Sequence, residues 1–325
     1  MIDARSTMKI FSLLIWIGGL IPGFTYGAEN RPVVSISSPG AGSAYAMPFR
    51  IAEEQSYYVD EGLDVRILSG VRTATSVQML VGGTVDATQT IGPTTLAAML
   101  RGASLKIVMV FNDKPSYWLY SKKNIRTFAE LKGVRISSST PGSTNDRLLK
   151  IVLEKNGVDW KKDLQIVYIG TSDVVIKALL SGSIDAAVLS HPGNLIAKDA
   201  GYTELASFEK EVGALTGGVA VNDSFLTKRH DAAVKFLRAT LKGLKYFRNN
   251  REGSAKIMAK YMSLSYEAAL KTHDASIPFY VSDGMISEDF QDKVLDFELK
   301  AIGTDKRISR DVVFDFSIMK SLAPK

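Results

Sequence analysis

The sequence predicts an α/β protein of two similar lobes, each built on a mixed, mainly parallel sheet, with the chain crossing between them on two strands. Two observations carry this reading. The first is an internal similarity at an offset of about 100 residues: VSISSPGAGS at 34–43 matches VRISSSTPGST at 134–144, MLVGGTVDA at 79–87 matches ALLSGSIDA at 178–186, and Pro93 falls on Pro192. Self-similarity at a constant spacing marks a duplicated unit. The second is that each copy alternates strand and helix patterns, the signature of βαβ units on a parallel sheet.

Taken in order, each copy opens with a β-branched strand, Val33–Ser37 or Val134–Ser137, that runs into a Ser/Gly/Pro loop. A helix over Met47–Val59 follows in the first copy, with Pro48 in its opening turn, where a missing N–H costs nothing. Second strands are expected at Leu63–Leu68 and Leu164–Ile169, then helices closing at Gly83 and Gly182, then third strands from Val85 and Ile184. Residues 112–117 (NDKPSY) read as the first crossing and 211–218 (EVGALTGG) as the return. Beyond Val219–Val221 the pattern turns helical: 230–250 carries apolar residues at 234, 237, 241, 244 and 247, and further helices are expected over 252–262, 265–275 and 287–302. The resulting division is a leader at 1–27, lobe one at 28–113 plus 214–325, and lobe two at 114–213. Two crossings allow the lobes to rotate and close.

The 325 residues, 46% of them hydrophobic, suffice for two cores. Residues 8–28 place Lys9 before an apolar run, Ile10–Ile21, and put small residues Thr25 and Gly27 just ahead of Ala28. That is the pattern of a cleaved secretory leader, and the run is shorter than the roughly 20 residues that span a bilayer. Met8 reads as an alternative start to Met1. The absence of cysteine excludes thiol catalysis, Cys-held metals and the usual lipid attachment, so a free periplasmic monomer is expected. The net charge of +6 is spread thinly, without a basic run that would follow a nucleic-acid backbone.

The succession YWLYSKKNIRTFAELKGVRISSSTPGST (117–144), LEKNGVDW (153–160) and KALLSGSIDAAVLSHPG (177–193) resembles the nitrate/sulfonate/taurine-type solute-binding proteins of ABC transporters. These are type II periplasmic binding proteins, related to binders of thiamine pyrimidine precursors. The resemblance covers the mature chain. It implies a cleft site, an inner-membrane permease partner and no chemistry on the ligand.

Ligands of open parallel sheets sit beyond the carboxyl ends of the strands, and helix N-termini there suit a carboxylate or sulfonate. This selects Ser38, Gly40 and Ala41 after the first strand of lobe one, and Ser139, Thr140, Ser143 and Thr144 after that of lobe two. One of those hydroxyls is needed as a helix cap, worth about 1 kcal/mol, but four exceed that need. Thr90, Ile91 and His191 end the third strands. Tyr45, Tyr117 and Trp118 are candidate walls for an apolar portion, with hinge packing as the alternative for Trp118. Arg72 is a candidate anion partner or a solvated surface residue. Asp86 and Asp185 occupy matching positions but open the third strands, so they are expected to be structural and to point away from the cleft.

No cofactor or metal is expected, because His191 has no second ligand at coordinating spacing. The function that follows is a receptor for a small organic ligand, anionic or aromatic, and not an enzyme. Two alternatives stand beside it: a periplasmic sensing subunit, and a pyrimidine-synthase-like enzyme on the same fold, whose Cys-rich segment this chain lacks.

Overall fold

The computed structural model describes residues 31–40, 42–210 and 214–323. The leader, Ala41 and part of the second crossing lie outside the described residues.

The first sheet begins with β1 (Val33–Ser38). After it come α1 (Met47–Glu54), α2 (Tyr57–Asp60), β2 (Asp64–Ser69), α3 (Thr73–Val81), β3 (Ala87–Thr88), α4 (Pro93–Leu100) and β4 (Leu105–Val110). The chain then crosses and builds the second sheet from β5 (Trp118–Ser121), β6 (Arg135–Ser138), α5 (Thr144–Lys155), β7 (Gln165–Tyr168), α6 (Ser172–Leu180), β8 (Ala186–Leu189), α7 (Gly193–Asp199) and β9 (Thr203–Ser207). It returns as β10 (Gly218–Asn222) and continues through α8 (Asp223–Lys228), α9 (His230–Asn249), α10 (Arg251–Met262), α11 (Tyr266–Ser276), α12 (Glu288–Ile302), α13 (Arg310–Val313) and α14 (Ser317–Leu322).

The strand orders are β2-β1-β3-β10-β4 and β7-β6-β8-β5-β9. In each sheet one strand alone, β10 or β5, runs antiparallel to its neighbours, and it is the strand by which the chain enters that sheet from the other. The duplication is exact in register: β1 pairs with β3 through Ile36 and Ala87, and β6 pairs with β8 through Ile136 and Ala186.

The third strands begin two residues later than the sequence pattern predicts, and a carboxylate explains the delay. Asp86 donates its main-chain N–H to Ser35 O (2.9 Å) while its side chain accepts the Ser35 N–H (2.9 Å). Asp185 repeats both bonds with Arg135, each at 2.9 Å. The side chain thus supplies the first rung of the ladder at the amino end of the strand, away from the cleft.

The predicted helix over 47–59 is two helices, because Ser56 takes a left-handed conformation (φ 59°) between them. The break turns Tyr58 inward, where it stacks on Phe236 at 5.8 Å and its hydroxyl meets Thr240 at 3.1 Å. α1 lies so close to α9 that a β-carbon on Gly243 would stand 2.1 Å from Pro48 O, so only glycine fits there. One core runs through the first sheet and the C-terminal helices and continues onto the second sheet at Tyr120, Val175, Leu179 and Leu189, and a smaller one gathers Leu119, Ile136, Leu148, Leu149 and Phe208. No helix among the described residues is long and apolar enough to cross a membrane.

Candidate functional site

The carboxyl ends of β1 and β3 face those of β6 and β8 across a cavity of about 110 Å³. The opening residues of four helices line it: Arg72 and Thr73 of α3, Gly92 of α4, Ser143 and Thr144 of α5, and Thr171 and Ser172 of α6. None of these four helices has a side-chain hydrogen bond at its N-cap, a feature they share with α1, α2, α7, α9, α13 and α14, while α8, α10, α11 and α12 are capped by Asn222, Asn250, Ser265 and Ser287. Ser143 stands in the cap position of α5 yet gives its hydroxyl to Thr140 O (2.7 Å) and Asn145 Oδ1 (2.6 Å). First-turn N–H groups and the positive ends of four helix dipoles are therefore directed at the cavity without a competing cap.

The remaining lining is hydroxyl and amide. Thr90 and Thr140 each bury an Oγ1 that bonds nothing among the described residues. Gln89 is held by Ser38, which donates to its Oε1, and by donating its own Nε2 to Tyr45 O (2.7 Å). Asn145, also in the lining, accepts at Oδ1 from Ser139 (3.1 Å) and Ser143. Tyr45 and Tyr117, rings 5.6 Å apart, form an aromatic wall with Ile91, Pro39 and Val71 nearby. Burial pushes both phenols above their ordinary range, so they stay neutral. Among the described residues Arg72 is the one charged residue in the lining. It is exposed, and its guanidinium makes no hydrogen bond or ion pair among the described residues.

The two walls touch. Ser43 and Ser190 hydroxyls stand 3.4 Å apart, Ala44 N–H donates to His191 O (3.3 Å), and Thr144 donates to Leu215 O (3.0 Å). A β-carbon on Gly92 would stand 2.4 Å from Thr144 Oγ1. The arrangement is closed.

Ten of the residues selected from sequence line this cavity: Gly40, Tyr45, Arg72, Thr90, Ile91, Tyr117, Ser139, Thr140, Ser143 and Thr144. Ala41 lies outside the described residues. Ser38 is fully buried beneath the cavity and reaches it only through Gln89. His191 does not line it either. Its ring, 3% exposed, packs on Trp118 (4.6 Å) and Phe279 (6.0 Å), with Nδ1 at 2.7 Å from Asn194 Oδ1. Burial lowers its pKa to about 4, against a weaker opposing effect of that bond, so the ring is neutral. Trp118 belongs to this same packing.

Ser43, Gln89 and Ser190 also line it and fall within the strand-end loops that sequence reasoning selected (38–44, 89–94 and 190–193), whereas Asn145, Thr171, Ser172 and Thr216 were missed. A signal for two of them existed: α6 starts 99 residues after α3, so the repeat carries Arg72 and Thr73 onto Thr171 and Ser172. Among the described residues no group of three or more His, Asp or Glu could hold a metal ion.

Two similar sheets, each contributing strand ends and helix N-termini to one cavity, define the class: the periplasmic-binding-protein fold. The chain belongs to the NMT1/THI5-like family, whose model matches residues 43–254. Among curated proteins it is 24% identical over 217 residues to YtlA of Bacillus subtilis (strain 168), described as a binding protein. That match covers 64% of each chain, so the chain spans just under two thirds of this relative's length. Among solved structures it superposes on the alkanesulfonate-binding protein SsuA of Xanthomonas axonopodis pv. citri, bound to MOPS (TM-score 0.72, 19% identity, 87% of this chain and 97% of that one). It also superposes on the periplasmic nitrate-binding protein NrtA of Synechocystis PCC 6803 (TM-score 0.73, 14% identity, 90% and 88%). The desulfurization enzyme DszB shares the fold as well (TM-score 0.67, 16% identity, 90% and 99%).

Proposed function

We propose that this chain is an exported receptor of an ABC importer that closes two lobes, 28–113 plus 214–325 and 114–213, on a small organic anion such as a sulfonate or carboxylate. The observation that carries the reading is the cavity's electrostatics: four uncapped helix N-termini and Arg72 face it, and among the described residues no carboxylate lines it. Such a site favours anions and disfavours cations, and charge-assisted bonds from oriented N–H groups need no counter-ion. The volume suits an anion of a few heavy atoms, with the Tyr45–Tyr117 wall against its apolar portion. The family and the sulfonate- and nitrate-binding neighbours support transport. In this reading the leader at 1–27 is removed before Ala28, and the permease binds the closed form.

An enzyme is the second reading, because DszB shares the fold. Against it, the lining contains no cysteine, histidine or carboxylate to act as nucleophile or base. The test is a thermal-shift and calorimetric panel of methanesulfonate, taurine, nitrate and benzoate, with choline as the cationic control. An anion at 100 times its dissociation constant adds about 2.7 kcal/mol of stability. Stabilisation by choline alone, or turnover of a bound anion, would overturn the proposal.

A further inference from the structure

Among the described residues two carboxylates are buried. Asp146 is fully engaged, accepting from Gly142 N–H (2.8 Å), Lys150 (2.8 Å) and Tyr168 (2.9 Å). Glu298, 2% exposed, makes no hydrogen bond with either oxygen. It lies on α12, a helix that bridges the two cores: Val294, Leu295 and Leu299 enter the first, and Phe297 packs against the second.

The surroundings of Glu298 come from both sides of the cleft. From α5 the Arg147 guanidinium faces it, on the same helix face as Thr144, three residues earlier, which lines the cavity. Arg147 donates its Nε to Gly142 O (3.3 Å) and forms no ion pair within 4 Å of Glu298. The second crossing runs its main chain alongside at Leu215, the residue whose carbonyl accepts from Thr144. α4, packed on α12, contains no titratable residue. On α13, Arg310 is paired with Glu288 (2.7 Å) and Asp292 (3.0 Å) at the other end of α12, and Asp311 is exposed. One turn away on α12 itself stand Val294, Leu295 and Ile302.

An ionised carboxylate held dry without a hydrogen bond is costly, and protonation removes that cost. We propose that Glu298 is a proton-binding site that couples lobe closure, and with it solute capture, to pH: closing buries the carboxyl and loads it with a proton, and opening releases the proton. The inference rests on the closing motion proposed above and not on which anion is bound. Burial raises the closed-state pKa to about 8, with Arg147 and, more weakly, the Leu215 main-chain N–H opposing the rise. Solvation on opening returns it toward its ordinary 4.5. Closing then takes up close to one proton between these limits. The closing constant falls roughly tenfold per pH unit as pH rises toward 8 and levels off above it.

The chain has no cysteine, so a lock can be introduced cleanly. Ser43→Cys with Ser190→Cys, whose hydroxyls face each other across the cleft at 3.4 Å, gives an oxidised form held closed. Glutamate labelled with ¹³C at the carboxyl reports the titration, and Glu298→Gln assigns its resonance. The expected result is a midpoint near pH 8 when oxidised and one at least two units lower when reduced and solute-free. An ordinary midpoint in the locked form, or equal midpoints in both, overturns the proposal. Spin labels at Asp60→Cys and Lys132→Cys, in otherwise unaltered protein, give a second measurement. The short-distance population should shrink from pH 6 to 8 with Glu298 and stay constant with Glu298→Gln. A pH-independent distribution with Glu298, or the same dependence in both, overturns the coupling. Neither readout uses a solute, so failure of the anion panel and failure of this inference are separate results.

Discussion

Thr90 and Thr140 bury hydroxyls that bond nothing among the described residues, and a buried orphan of this kind destabilises the fold unless a ligand satisfies it. Thr140→Val keeps the shape and removes the orphan. It should therefore leave the melting temperature unchanged or raised, while a lost hydrogen bond to a charged ligand costs about 1.5–3 kcal/mol, roughly ten- to hundredfold in affinity. Calorimetric titration with the anion selected by the panel, alongside thermal melts, checks both halves. Asp185→Ala is the opposite case: it strips bonds from Arg135 N–H and Lys122 and should lower stability by about 1–3 kcal/mol with affinity kept. His191 adds a pH signature. Its folded pKa of about 4 lies below the ordinary 6.5, so only the unfolded chain takes up its proton between those values. The stability it confers is complete above pH 6.5 and is lost as pH falls toward 4, by about 3 kcal/mol in all. Urea unfolding of native protein and of His191→Gln at pH 7.5 and 4.5 should show the native form losing more. Parallel profiles would contradict the assignment.

At the scale of elements, the strands, their duplication and the long C-terminal helices were legible, because period-2 and period-3.6 patterns report directly on which faces are buried. The misplaced boundaries have local causes that hydrophobic periodicity does not report, a side chain replacing a backbone rung or a residue in left-handed conformation. Asp86 and Asp185 bond the first strands themselves, and Ser56 breaks a helix whose apolar pattern runs on through Tyr58. The cavity loops after the first and third strands were legible from the rule that ligands sit beyond strand carboxyl ends, and ten of the selected residues line the cavity. His191 did not, because a residue ending a strand can turn toward the cavity or the hinge, and only the aromatic neighbours Trp118 and Phe279 decide it. Two glycines separate packing within an element pair from packing across the cleft. Gly92→Ala places its β-carbon 2.4 Å from Thr144 Oγ1 on the facing wall, besides 2.9 Å from Leu215 O. It should lower affinity at least tenfold with unliganded stability nearly unchanged. Gly243→Ala drives a β-carbon into Pro48 O between α1 and α9 and should cost stability instead, about 1–3 kcal/mol or more. Denaturant melts and titrations of both variants should show this inversion, and equal destabilisation would remove the closed-state reading of Gly92.

For the molecule as a whole, the question is how occupancy of a small cavity is felt where the chain crosses between lobes. Tyr45 joins the two places. Its ring lines the cavity beside Tyr117, and its hydroxyl accepts from Ser116 N–H (3.1 Å) and bonds Ser116 Oγ (2.8 Å) in the first crossing. In the second crossing, a β-carbon on Gly217 would stand 3.2 Å from the Tyr45 ring and 2.9 Å from Asn112 Oδ1, so both crossings meet against this side chain. A solute that fixes the Tyr45 ring therefore fixes Ser116 as well, and a ligand shifts an open–closed equilibrium by its differential affinity for the two states. Tyr45→Phe keeps the wall and deletes the bonds to Ser116. The closed state should lose about 1–3 kcal/mol, since Ser116 N–H is left buried without its acceptor. The loss should appear mainly as faster dissociation, because encounter with the open cleft does not involve the hinge bond. Stopped-flow kinetics with the panel's tightest anion would give a dissociation rate raised about tenfold or more and an association rate within a factor of about two. A change confined to association would mean that Tyr45 only shapes the entrance, and that closure is set by the helix N-termini without help from the crossings.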